Sequence, residues 1–304
     1  MKLNPQQIEQ YRDEGYVLVP DVLEPETLMK LREVTDRVVD SARGLTTHSD
    51  ILDLEPSHTP DVPRVRRIKK PQLADPFYRQ LAAHVPTMEL LSCLIGPNIR
   101  MRPGGKVNMK SAEFGAPVEW HQDWAFYPHT NQDVLAVGFL LDDMDEDNGP
   151  LMVLPGSHLG PVHDHHANGA FCGAMDVEEA GVDLSEARTI TGTAGSVTIH
   201  HARLVHGSAL NRTDRQRRIM FVEYAAADAW PLAGTEPVDD LEEFNGRMVY
   251  GTPTLMPRME DVPVRMPLPR AVYQGSIYEN QRTLEGRYFE RDPAAAAAPS
   301  EAAD

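Results

Sequence analysis

The sequence predicts a mainly β protein with flanking helices, its core a jelly roll, and three observations carry that reading. From Ile99 to Tyr224 the chain runs in short apolar or alternating segments separated by Gly, Pro, Asn and Asp, the texture of a sandwich or barrel and not of βαβ units. Helical periodicity is confined to the stretch before residue 97. The candidate strands number eight, enough for two facing sheets around an interior site.

Asn4, Pro5 and Gln7 read as the N-cap, first-turn proline and capping-box partner of a helix that stops near Gly15. Residues 16–20 follow as a strand. Leu28, Leu31, Val34 and Val38 share one face of a second helix after Pro25, and a third helix is expected around 76–95. The strands expected in the core are 99–109, 117–121, 134–141, 151–154, 188–192, 195–199, 203–206 and 217–226. Residues 157–187, rich in His, Gly and Ala, are long for a connection and read as a functional loop. Beyond Trp230 many prolines break any period, which predicts an extension packed against the barrel. The expected organisation is one domain over 1–290: a helical part to about 97, the jelly roll over about 98–228 and the extension over about 229–290. Residues 291–304, low in complexity, read as a flexible tail.

With 304 residues, 41% hydrophobic and 25% charged, the chain has the composition of a globular protein. Its net charge of -17 disfavours nucleic acid and anionic membrane as partners, and no apolar run approaches the roughly 18 residues of a membrane span. Cys93 and Cys172 are the only cysteines, too few for a disulfide framework or a cysteine metal cluster. A cytoplasmic location is the expectation, with a small molecule as partner. The basic run from Arg64 to Lys70 reads as a solvated strand or loop face, with an entrance for an acidic group as the alternative.

His121-Gln122-Asp123 places a histidine and a carboxylate at i and i+2, where a strand points both to one face. A surface loop is the plain alternative for such a pair standing alone. A second histidine, His206, follows an apolar strand in Leu204-Val-His-Gly-Ser208, and two imidazoles with one carboxylate make the facial triad suited to iron(II). His200 and His201 are rivals for the distal position. Arg217, 11 residues beyond His206, offers a planar guanidinium for a carboxylate, with Ser208 as a further donor. His158, His163, His165 and His166 read as solvent- or substrate-facing residues of the loop in preference to a second, zinc-like site, and Pro155-Gly-Ser-His158 reads as a turn after a strand with His158 supporting the adjacent loop. The acidic run Asp142 to Asp147 reads as a solvated hairpin, lacking calcium-loop spacing.

On four stretches the sequence resembles the phytanoyl-CoA dioxygenase family: Trp120-His-Gln-Asp123, Asp147-Asn-Gly-Pro-Leu-Met-Val-Leu-Pro-Gly-Ser-His158, Leu204-Val-His-Gly-Ser208, and Asn211-Arg-Thr-Asp-Arg-Gln-Arg217. The resemblance runs from the N-terminal helix to about Trp230 and implies a double-stranded β-helix of cupin type. It further implies that His121, Asp123 and His206 bind iron(II), and that Arg217 grips the distal carboxylate of 2-oxoglutarate with Ser208 assisting. Asn108, with Lys106 and Lys110 on the same strand face, falls where such enzymes place polar contacts to 2-oxoglutarate; an edge strand with solvated cations is the alternative. Trp124, Phe126, Tyr127 and Trp230 are the candidate substrate walls, ordinary core aromatics being the other reading. The implied reaction consumes oxygen and 2-oxoglutarate, releases succinate and carbon dioxide, and hydroxylates a small metabolite. Desaturation, cyclisation, epimerisation or action on an acyl-CoA are the alternatives, and a non-enzymatic barrel binding protein stands behind them. Asp123 disfavours halogenation, since halogenating relatives carry a small residue there.

Overall fold

Local chemistry starts the chain as the sequence reads. The computed structural model describes residues 1–291 apart from 113–114, 233–235, 237 and 272–275. In it, Asn4 accepts from the Gln7 amide and Gln7 accepts from the Asn4 amide, capping α1 (Pro5–Glu14). Gly15, at φ +83°, ends that helix in the left-handed conformation. β1 (Tyr16–Val19) leads to α2 (Pro25–Asp40), which buries Leu31, Val34 and Val38.

Two strands outside the eight expected in the core come next, β2 (Leu52–Leu54), which the sequence reading did not foresee, and β3 (Val65–Lys69), in the basic run. After the short α3 (Pro71–Ala74), the helix expected over 76–95 is two helices, α4 (Pro76–Ala82) and α5 (Val85–Ile95). Pro86 explains the break, because it has no amide to donate and its ring excludes the carbonyl of the preceding turn. The strand expected over 99–109 is likewise two, β4 (Ile99–Met101) and β5 (Lys106–Lys110). Pro103, Gly104 and Gly105 separate them, both glycines at positive φ.

β6 (Val118–His121), β7 (Val134–Leu140) and β8 (Leu151–Val153) lie close to expectation. Within 157–187 the structure has a small hairpin, β9 (His166–Ala167) with β10 (Ala170–Phe171), preceded by a 3-10 turn at Ser157–Leu159. β11 (Arg188–Thr189) is shorter than expected, and β12 (Val197–His201) reaches further toward the C-terminus. Residues 203–206 do not form the expected strand: Leu204 N–H bonds the His201 carbonyl at 2.9 Å in a turn, and β13 (His206–Ser208) starts at the histidine. β14 (Arg217–Ala226) matches, with all ten residues buried. The extension supplies α6 (Leu241–Gly246), β15 (Met248–Tyr250), α7 (Ile277–Gln281) and α8 (Tyr288–Arg291). Of the expected tail, only Arg291 falls within the described residues.

Among the described residues all strand pairs are antiparallel. The larger sheet runs β1-β12-β7-β14-β5-β3-β2, with β4 joining β14 to β15, and the smaller runs β11-β8-β13-β6. Leu140, Leu151, Val153, Ile219 and Phe221 pack in one cluster drawn from both sheets. Leu31, Val34, Met88 and Leu90 of the helices pack with Ile68, Val107, Phe139 and Val222 of the larger sheet. β14 therefore has both faces covered, and its burial is continuous where a half-exposed strand would alternate. The extension closes over β6: the Phe289 ring lies nearly parallel to Trp120 at 6.1 Å, and Gln281 accepts from the Glu119 amide at 2.9 Å. Among the described residues, no helix is long and apolar enough to cross a membrane.

Candidate metal centre

β6 and β13 pair so that His121 and His206 are direct cross-strand neighbours, and their ring centroids stand 4.1 Å apart. Both rings are turned the same way by the backbone. Nδ1 of His121 donates to the Glu119 carbonyl at 2.7 Å and Nδ1 of His206 to the Leu204 carbonyl at 2.9 Å. A carbonyl only accepts, so the proton sits on Nδ1 and each Nε2 offers a lone pair.

Asp123 does not lie on β6, as the i, i+2 reading assumed; it opens a 3-10 turn, Asp123–Ala125. The pair still shares a side, because Gln122 points away and donates to the carbonyls of Arg203 at 2.8 Å and Pro161 at 3.1 Å. Oδ1 of Asp123 is 3.8 Å from Nε2 of His121. One ligand atom from each of His121, Asp123 and His206 lies within 4.8 Å of the others, the one such group among the described residues.

Burial drops His121 to about 4. His206 also falls well below the ordinary imidazole value, through burial and then the imidazoles of His121 and His200. Burial alone would push the Asp123 carboxyl up, but Lys106 together with the imidazoles of His200, His206 and His121 more than reverses this and holds it well below the carboxylate range. Two neutral imidazoles and an ionised carboxylate are the protonation states that metal binding needs, and this donor set fits iron(II).

Arg217 and Lys110 face each other across β14 and β5, 2% and 1% exposed. Arg217 donates to the Gly149 carbonyl and leaves its Nε without a partner; Lys110 donates to the carbonyls of Ser208, at 3.2 Å, and Ala209. Burial lowers Arg217 to about 10, while burial and then Arg217 lower Lys110 well below the usual lysine value. Two buried cations side by side are costly unless an anion joins them. The pair therefore fits a carboxylate of 2-oxoglutarate.

A cavity of 910 Å³ links this pair to the triad and opens outward, with Ser208, Lys106, Asn108, Phe126 and Tyr127 on its walls. The Asn108 Oδ1 is buried and unpartnered, and Lys106 donates to Glu223 at 3.0 Å. Trp124 and Trp230 are corrections to the expected walls. Trp124 is buried in the main core with its indole donating to the Pro263 carbonyl at 2.8 Å, because the 3-10 turn rotates it away from the cavity. Trp230 packs on Phe244 with 4.9 Å between centroids, beside Arg100, away from the cavity.

Sequence reasoning missed several wall residues. Arg67 and Lys69 come from the basic run, which reads first as a solvated face; they line the cavity, in keeping with its alternative reading as an entrance. Phe171 comes from the small hairpin, and Tyr278 from α7 in the extension, where nothing in the local sequence marked it. The rival histidines separate cleanly. His201 packs on Tyr11 and His158, whereas His200 lines the cavity beside Asp123. In the loop, His165 accepts from the Gln122 amide at 2.8 Å and His158 bonds the Arg12 carbonyl at 3.0 Å, both structural contacts. Arg218 points the other way from Arg217, pairing with Asp142 at 2.8 Å and with Asp36.

Residues 11–219 match the sequence pattern of the phytanoyl-CoA dioxygenase family. A Stutzerimonas stutzeri protein named a probable alpha-ketoglutarate-dependent hypophosphite dioxygenase is 37% identical over 288 residues, covering 93% of this chain and 99% of its own. Among solved structures, EctD from S. alaskensis with 2-oxoglutarate and 5-hydroxyectoine superposes with a TM-score of 0.64 at 22% identity, over 86% of this chain and 88% of its own. The epimerase SnoN in complex with Fe3+, alpha ketoglutarate and nogalamycin RO superposes with a TM-score of 0.60 at 26% identity, over 82% of this chain and 94% of its own. The chain belongs to the phytanoyl-CoA dioxygenase family, and its fold is the double-stranded β-helix of iron- and 2-oxoglutarate-dependent dioxygenases.

Proposed function

We propose that this dioxygenase hydroxylates a small anionic metabolite, with His121, Asp123 and His206 as the iron ligands and residues 1–290 acting as one catalytic unit. When bound there, iron(II) couples the oxidative decarboxylation of 2-oxoglutarate by dioxygen to oxidation of the substrate. The chain's own part is positional. The Glu119 and Leu204 carbonyls hold the two imidazoles with Nε2 forward. Arg217 and Lys110 take the distal carboxylate of 2-oxoglutarate, the hydroxyl of Ser208 adds a donor, and Asn108 lies on the same wall. Phe126 and Tyr127 exclude water from the side of the triad.

The observation that carries the substrate class is the charge of the cavity. Arg67, Lys69, Lys70, Arg102, Lys106 and Arg270 line it together with Lys110 and Arg217, against Asp50, Asp123 and Glu223 among the described residues, in a chain of net charge -17. Lys69, Lys106 and Arg102 have carboxylate partners in Asp53, Glu223 and Glu236. Arg67 keeps a buried, unpartnered Nε and stands cross-strand from Asn108, a site for an anionic group beyond 2-oxoglutarate. The relative named for hypophosphite, itself a small oxyanion, supports the same class.

The test is succinate release across matched anionic, neutral and cationic small molecules, with product analysed under labelled oxygen. Stimulation confined to anions, with one labelled oxygen in the product, is expected. Equal stimulation by neutral compounds would overturn the substrate class, and a chlorinated product would overturn the reading of the iron site.

A further inference from the structure

His200 is buried on the cavity wall, 1% exposed, and neither ring nitrogen has a hydrogen-bond partner. A buried imidazole with both nitrogens unsatisfied is costly and calls for a function. Its backbone is locked on both sides, since His200 pairs with Tyr16 of β1 and Ala136 of β7, so the ring is held where it lies. Nε2 stands 3.6 Å from Oδ2 of Asp123, just beyond a hydrogen bond, while Oδ1 faces Nε2 of His121 at 3.8 Å. The two oxygens of one carboxylate are thus divided between His121 and His200. The His200 ring also sits 4.6 Å from that of His206, yet His200 falls outside the group whose ligand atoms converge.

We infer that His200 is a positioning residue for Asp123: its Nε2–H holds Oδ2, so that the carboxylate presents a single oxygen to the ion bound with His121 and His206. An outer partner of this kind fixes a ligand's orientation and keeps a coordination position free of the second oxygen. The inference rests on the iron reading of the triad.

Metal-free protein is titrated anaerobically with iron(II) and with cobalt(II), and its thermal unfolding is measured, for the parent, His200→Phe and His200→Gln. His200→Phe keeps a flat ring and removes the donor. It should weaken metal binding by about 10–100-fold and shift the visible cobalt bands, as the carboxylate turns to offer both oxygens. The Tm of its metal-free form should stay level or rise, because two unsatisfied nitrogens are gone. His200→Gln, which retains an N–H donor, should recover most of the affinity. Unchanged affinity and spectrum in His200→Phe, a metal-free Tm that falls in step with the affinity, or no recovery in His200→Gln would each overturn the inference. A parent that binds neither ion would sink the iron reading itself and the inference with it.

Discussion

At the scale of single residues, one register sets the third candidate ligand apart from its rivals. His206 faces His121 across β13 and β6, whereas His201, on the opposite side of β12, is enclosed by Tyr11 and His158. We expect His121→Ala, Asp123→Ala and His206→Ala each to abolish iron binding, read as loss of the weak visible band that iron(II) and 2-oxoglutarate give together under argon. His201→Ala should retain the band. The reverse order for the two histidines would refute the assignment. Arg217 and Arg218 make a second contrast between neighbours on opposite faces of β14. Losing a desolvated, hydrogen-bonded charge typically costs about 2–5 kcal/mol, so Arg217→Ala should weaken 2-oxoglutarate by roughly 30-fold or more. Arg218→Ala leaves that pocket intact but takes from Asp142 its closer guanidinium, leaving Arg32 at 3.9 Å, so lowered stability at unchanged 2-oxoglutarate affinity is expected from calorimetry. Equal loss of affinity in both variants would count against the clamp.

At the scale of elements, the C-terminal extension is part of the site and not an appendage. α7 puts Tyr278 on the cavity wall, and α8 lays Phe289 on Trp120, one residue from the candidate ligand His121. The Glu119 carboxylate accepts from the amides of Tyr288 at 2.9 Å and Phe289 at 3.4 Å, tying that helix to β6. Phe289 is 3% exposed, and truncating a buried phenylalanine costs about 3–5 kcal/mol. Phe289→Ala should therefore lower urea-unfolding stability by an amount of that order. A change of a few tenths of a kcal/mol would show that α8 docks loosely and does not brace the ligand strand.

At the scale of the whole molecule, buried titratable groups give stability a defined pH response. Burial drops His129, His165 and His201 to about 3, so the folded protein leaves them neutral where the unfolded chain binds protons near pH 6.5. The stability they contribute is full above about pH 6.5 and is lost as the pH falls toward 3. Glu55 and Glu119, pushed up to about 7 by burial, act in the opposite sense. What they contribute is present below the ordinary carboxylate value and lost as the pH rises through about 7. The carboxyls partly offset the histidines between about pH 4.5 and 6.5 and no longer do so below it, so urea midpoints should fall gently at first and steeply below about pH 4.5. His129→Gln should flatten the curve. Midpoints that climb steadily from pH 6.5 to 4 would contradict this balance.

Much of this molecule was legible in one dimension because much of it is local. The Asn4 capping box, the stop at Gly15 and the extent of β14 depend on residues a few positions apart, and they formed as read. The residues singled out by the motifs, His121, Asp123, His206 and Arg217, line one cavity. The breaks at Pro86 and at Pro103-Gly104-Gly105 were written in the sequence too, but apolar continuity on either side masked them. Other features have no local cause. Trp124 and Phe126 look equivalent until a 3-10 turn sends one into the core and the other to the cavity. His200 and His201 differ only in which face of β12 each occupies. Tyr278 reaches the cavity that Arg217 lines from far along the chain, through an extension without periodicity. The net charge of -17 likewise conceals a cationic cavity, since a sum over the sequence has no positions. The sequence determined the fold class and nominated the candidate ligand types through spacing and pattern; strand register and packing alone determined which histidine meets Asp123 and which charges share a wall, because those depend on distances between residues that are remote in the chain.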